Sequence, residues 1–78
     1  MTQFEKLAEK ICARPSSARF SDVHAVLVGF GWRLGREKGS HVTYVKDGEP
    51  SIVVPKDGGR DVKRVYLDQI CERLGLDD

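Results

Sequence analysis

Apolar residues recur at three- and four-residue intervals near the start of the chain, at Phe4, Leu7, Ala8 and Ile11. That is the period of an amphipathic helix, predicted over residues 3–13, with Thr2 as N-cap and Glu5 completing capping-box spacing. Arg14-Pro15-Ser16-Ser17 breaks it, because the proline ring disfavours helical geometry at the residue before it. Ser21 is the next N-cap candidate, with Asp22 favourably placed in the first turn. Val23, Val26, Leu27 and Phe30 then give a second helix its buried stripe, and Gly31 ends it.

Beyond Gly31 the period falls to two. Trp32 and Leu34 point one way and Arg33 and Gly35 the other, a strand running to about Arg36. Gly39 supplies a turn. In the next strand Val42 and Tyr44 share one face and His41 and Thr43 the other, so His41 and Thr43 are expected on the open face if the bulky set packs against the helices. Asp47-Gly48 is a hairpin signal, and residues 51–55, rich in Val and Ile, make the third strand. Asp57-Gly58-Gly59 interrupts the pattern. Asp61 is then expected to cap a last helix whose Val62, Tyr66, Ile70 and Leu74 form a stripe, widened by Leu67 and Cys71 and stopped by Gly75. The order α-α-β-β-β-α predicts a two-layer α+β domain with a three-stranded antiparallel sheet. Residues 15–19 are the one linker-like stretch, so the first helix could be an appendage on a core beginning near Ser21.

A length of 78 residues allows one domain, and 13 basic against 12 acidic residues leave the total almost neutral. The distribution is more informative. Residues 32–46 carry Arg33, Arg36, Lys38 and Lys46 against the single acid Glu37, and residues 56–64 carry Lys56, Arg60, Lys63 and Arg64 against Asp57 and Asp61. A locally basic surface on a neutral chain suits phosphate binding, although the same charges also suit solvated strands and turns. No apolar run approaches the roughly 20 residues of a membrane span, and the N-terminus has no signal-peptide pattern. A cytoplasmic location follows as an expectation. Cys12 and Cys71 match no metal motif and are expected as free, mostly buried thiols; a bridge is geometrically open to them if the end helices pack together, but a reducing compartment argues against it.

His41 is the residue best placed for chemistry. It begins a strand directly after the Gly39-Ser40 turn, with Lys38 beside it, Arg33 or Arg36 on the neighbouring strand and Lys56 at the end of the third. An imidazole with an unperturbed pKa of about 6.5, among cations able to hold a phosphate, can exchange protons with RNA, whose 2′-hydroxyl is its own nucleophile. The plainer alternative is a surface histidine on a solvent-facing strand. His24 falls outside the apolar stripe of its helix and is expected to be exposed and inert. Two histidines without an acid-rich cluster make a metal site unlikely to form, so no metal or cofactor is expected. Lys63 and Arg64, in the first turn of the last helix, sit where helix N–H groups also favour anions.

Phe30-Gly31-Trp32, Arg36, Lys38-Gly39-Ser40-His41, Val53-Val54-Pro55 and the closing helix with Leu67 and Ile70 together resemble the HicA toxin family. Arg14-Pro15-Ser16-Ser17 and Arg19-Phe20-Ser21 resemble members with an extra N-terminal helix, which extends the resemblance over nearly the whole chain: a single domain over residues 1–78, with helix and linker in 1–19 and the α-β-β-β-α core in 20–78. The resemblance implies a fold like the double-stranded RNA-binding domain and an mRNA interferase, neutralised by a HicB-like antitoxin. It puts the catalytic histidine at His41 and the turn glycine at Gly39, with Ser40, Lys38, Arg36, Lys56 and Lys63 as candidate turn or RNA-binding residues. The chain departs from many members in having Val42 in place of a second histidine and Lys56-Asp57 in place of a histidine after the third strand, which leaves His41 as the lone imidazole of the site. The expected activity is therefore metal-independent cleavage of mRNA by a single histidine. The alternatives are a non-catalytic RNA-binding module, reading A-form shape through Lys63, Arg64 and the sheet rim, and a protein-interaction domain with an acidic partner.

Overall fold

A computed structural model of the chain describes residues 3–76 apart from 14, 57 and 59. The expected capping box of Thr2 with Glu5 lies outside the described residues, as does the side chain of Phe4. The elements run α1 (Gln3–Cys12), β1 (Ser17–Arg19), α2 (Phe20–Gly29), β2 (Arg33–Lys38), β3 (His41–Lys46), β4 (Glu49–Pro55), β5 (Asp61–Lys63) and α3 (Arg64–Arg73). The expected α+β architecture is present: β2, β3 and β4 form an antiparallel sheet in that order, and three helices complete the fold. No helix among the described residues is long and apolar enough to cross a membrane.

Alternation along the sheet and helical spacing converge on one core. Val42 and Tyr44 of β3 and Ile52 and Val54 of β4 are buried on the side that meets the helices, where Val23, Val26 and Leu27 of α2 and Leu67 and Ile70 of α3 close over them. Each such side chain contributes roughly 1.5–3 kcal/mol by leaving water. Trp32, also buried, lies between two cations, with Lys46 Nζ 5.9 Å from its ring centroid and the Arg73 guanidinium 5.5 Å away.

The two core helices end alike. Gly31 and Gly75 adopt φ of 92° and 74°, a left-handed conformation that glycine enters without a Cβ clash. Trp32 N–H then reaches the Leu27 carbonyl at 2.9 Å and Gly31 N–H that of Val28 at 3.0 Å; Leu76 N–H reaches Cys71 at 2.9 Å and Gly75 N–H reaches Glu72 at 3.1 Å. Both sets are the paired closing bonds of a Schellman motif.

Their N-termini differ from expectation. The stretch read as linker contains β1, and Asp61 lies in β5 rather than at a helix cap. These strands form a separate two-stranded antiparallel ribbon, pairing Ser17 with Lys63, Ala18 with Val62 and Arg19 with Asp61. Arg19 and Lys63 occupy the N-cap positions with no side-chain cap bond. The ribbon does that work instead: Phe20 N–H donates to the Arg60 carbonyl at 2.6 Å, and Arg64 N–H to the Ser16 carbonyl at 3.1 Å. Helix-start donors that need a partner find one on the opposite strand, so neither Ser21 nor Asp61 is needed as a cap.

The expectation of free thiols is also corrected. Cys12 and Cys71 form a disulfide, with Cα atoms 5.9 Å apart across a sequence separation of 59. The cause is packing: α1 buries Ala8 and Ile11 against the core, and that same face brings Cys12 to the Cys71 turn of α3. The first helix is therefore fastened to the core and is not a loose appendage. Opening the bond with a reductant, or replacing both cysteines with serine, should lower stability by roughly 2–4 kcal/mol, because the unfolded chain regains the freedom of a long loop. Urea unfolding with and without reductant measures this; equal midpoints would mean that the packing of α1 alone holds the helix.

Candidate functional site

His41 is the first residue of β3, across from Lys38 on β2 and Pro55 on β4. The two-residue turn before it depends on Gly39, whose φ of 59° is unfavourable for a residue with a side chain even though nothing stands within 4 Å of its Cβ position. Val42 and Tyr44 are buried; His41 is exposed and Thr43 half-buried. The open face of the sheet thus begins with His41, as its alternation predicts.

What the sequence pattern does not predict is how β2 contributes to that face. Leu34, Arg36 and Lys38 have the same parity, so an unbroken strand would turn all three toward the helices. The ladder slips at Gly35: Leu34 pairs with Tyr44, but Arg36 pairs with Thr43 and Lys38 with His41. Opposed residues of an antiparallel pair share a face. The bulge therefore reverses the alternation and carries Arg36 and Lys38 onto the side of His41. Gly35 is the residue that permits it, since a Cβ there would meet the two Val45 methyl carbons at 3.0 and 3.2 Å. Arg33 shares the face but forms an ion pair with Asp47 at 3.6 Å. Arg36, Lys38 and His41 have no ion-pair or side-chain hydrogen-bond partner among the described residues, which leaves one imidazole and two cations open to a ligand.

Two of the expected RNA-binding positions are elsewhere. Lys56 follows Pro55 onto the helix side, where Nζ donates to Glu37 Oε2 at 3.2 Å and lies 4.9 Å from the Phe20 ring centroid. Lys63 is in β5, outside the three-stranded sheet. Ser40 stays in the turn, and its carbonyl accepts a 2.7 Å bond from the Lys56 N–H.

His24 differs from expectation. It is half-buried, and its Nδ1 lies 2.7 Å from the Tyr44 hydroxyl, with Phe20 tilted against both rings. The signal was present: Phe20 and His24 are four apart and so share a helix face, which a stripe beginning at Val23 overlooks. Burial, followed by the negative charge of Glu37, pushes the Tyr44 phenol up to about 12. Its proton is thereby retained, and the hydroxyl stays within hydrogen-bond distance of His24 Nδ1.

An exposed imidazole flanked by two unengaged cations on an open sheet can bind an anion and exchange a proton with it. The described residues contain no group of three or more His, Cys, Asp or Glu able to hold a metal ion. Residues 20–76 match the family model described as HicA toxin of bacterial toxin–antitoxin systems, a span that leaves α1 outside. No curated protein and no solved structure matched the chain.

Gly35→Ala should cost about 1–3 kcal/mol through overpacking against Val45, and adding Val45→Ala should return most of it. Thermal unfolding of the single and double variants measures this; an unaffected single variant would show that the bulge does not depend on glycine. The raised phenol pKa has a consequence for stability. An unfolded tyrosine loses its proton near the ordinary 10.0 and the folded one near 12, so stability should fall as pH rises between those values. Tyr44→Phe should remove that slope, as read by urea unfolding across the alkaline range together with tyrosinate absorbance.

Proposed function

The chain belongs to the HicA toxin family of bacterial toxin–antitoxin systems, and on that premise we propose that it is a metal-independent endoribonuclease that cleaves mRNA with His41 as general acid–base. The observation that carries this reading is the β-bulge at Gly35, which sets Arg36 and Lys38 on the face of His41. A phosphodiester lying there meets Lys38 directly across from the imidazole of His41 at the start of β3, with Arg36 two residues before Lys38 on the same strand β2. His41 takes the proton from the 2′-hydroxyl, and that oxygen attacks the adjacent phosphorus. Arg36 and Lys38 stabilise the negative charge that grows on the phosphoryl oxygens, and the leaving 5′-oxygen takes up a proton from water. The P–O5′ bond breaks as the P–O2′ bond forms, giving a 2′,3′-cyclic phosphate and a 5′-hydroxyl. Gly39 and Ser40 shape the turn that presents the imidazole. The activity belongs to the cytoplasm, where the mRNA is and where a reducing poise favours opening of the Cys12–Cys71 bond, and a HicB-like antitoxin is the partner that restrains it.

One observation favours a weaker second reading. His24 is engaged by Tyr44, so His41 has no companion imidazole to divide the roles of base and acid. A non-catalytic RNA-binding module on the same fold, using Lys63 and Arg64 as well as the sheet, would need no such division.

Cleavage of an RNA oligonucleotide by the purified protein separates the two. Products should end in 2′,3′-cyclic phosphate and 5′-hydroxyl, cleavage should persist in EDTA, and methylation of the 2′-hydroxyl at the cut site should block it. His41→Ala should abolish cleavage while changing stability by no more than about 0.5 kcal/mol, as for other exposed positions. Lys38→Ala should weaken binding to all sequences alike and reduce its salt dependence. Products with a 5′-phosphate, or activity lost in EDTA, would sink the mechanism; binding without cleavage would favour the second reading.

A further inference from the structure

We propose that Lys56 is a positioning residue for His41, acting through the hairpin tip and not through the RNA. The inference rests on the assignment of His41 as the catalytic group, and it is carried by where the single residue Lys56 attaches. Its backbone N–H donates to the Ser40 carbonyl at 2.7 Å, immediately before His41. Its ammonium, 3.2 Å from Glu37 Oε2, holds the other strand of the same hairpin one residue before Lys38. The ammonium also sits 4.9 Å from the Phe20 ring centroid, which anchors it to the start of α2. The tip that carries Lys38, Gly39, Ser40 and His41 is thus gripped on both strands from the end of β4.

The grip matters because the His41 side chain has no partner of its own, and only the backbone pairing of β3 with β2 and β4 otherwise orients it. Its imidazole is exposed and has no hydrogen-bond partner among the described residues, so its direction follows the backbone of a two-residue turn. Hairpin tips open locally at low cost unless something outside the hairpin holds them. Small misplacements of a reacting group are costly in rate. Only 15% of the Lys56 side chain is exposed, against 50% for Glu37. Its ion pair is correspondingly less screened than a surface pair, and the aromatic ring adds to it. Glu37 lies opposite the buried Val42, on the helix side of the sheet. For Lys56 to reach a phosphate beside His41 it would have to leave both Glu37 and Phe20.

The test uses the full chain with Lys56→Met, which keeps the aliphatic stem, Glu37→Gln, and Lys56→Arg, which keeps the charge. Steady-state cleavage of an RNA oligonucleotide is measured alongside amide hydrogen exchange of residues 39–41. Lys56→Met and Glu37→Gln should each lower kcat by about tenfold with KM within about twofold, and should speed exchange at the tip by a similar factor. Core amides of α2 should be unchanged, and Lys56→Arg should retain most of the rate. A rise in KM with kcat unchanged would identify a phosphate contact and overturn the proposal, as would unchanged exchange at the tip. If the parent protein cleaves no RNA, the nuclease reading fails by itself. Exchange then decides alone whether Lys56 and Glu37 hold the turn: faster tip exchange in both variants sustains their hold, and unchanged exchange removes it.

Discussion

Side chains along a strand must alternate between its two faces, and everything exposed on this sheet follows from where that alternation is kept and where it is reversed. On β3 it is kept, so Tyr44 can fill the core while His41 stays in water. On β2 it is reversed once, at Gly35. Without the reversal the two cations of β2 would lie on the helix side of the sheet, away from His41. With it, one short edge strand supplies Leu34 to one side and Arg36 and Lys38 to the other. Gly35 sits at the slip itself, where a side chain would crowd the Val45 methyl carbons.

The parts of the fold legible in the sequence are those governed by local periodicity. The helical stripes, the left-handed glycines after α2 and α3, the Asp47-Gly48 hairpin and the open placement of His41 all follow from residues close together in the chain. The parts that were not legible depend on distant partners. β1 and β5 are each three residues long, too short to show a period, and they exist as strands because they pair with one another. The caps assigned to Ser21 and Asp61 failed for the same reason, since the ribbon satisfies donors that local reasoning gives to side chains. The disulfide required knowing that α1 and α3 share a face. Arg36 shares a face with His41 through a register slip that parity alone would deny.

Behind the open face lies a second set of polar contacts that the aliphatic pattern does not reveal. Tyr44, His24, Phe20, Lys56 and Glu37 run from the buried middle of β3 to the edge of the sheet through rings and charges. Each polar group in it has a partner, and no buried side-chain nitrogen or oxygen among the described residues is left without one. A buried phenol satisfied in this way ties α2 to β3 with directional bonds where apolar packing supplies none. The open face carries Arg36, Lys38 and His41, which have no such engagement, beside the Arg33–Asp47 ion pair. Structural and candidate functional charges are thereby sorted onto opposite sides of one sheet.

The bond between Cys12 and Cys71 also changes the topology of the molecule. With a sequence separation of 59, it closes most of the chain into a covalent ring that contains α2, the whole three-stranded sheet and the β1–β5 ribbon. The exposed turns at Gly39-Ser40 and Asp47-Gly48 lie inside that ring. A peptidase that cuts at either turn therefore adds one water and releases nothing. The pieces of the nicked protein stay joined until a thiol opens the disulfide.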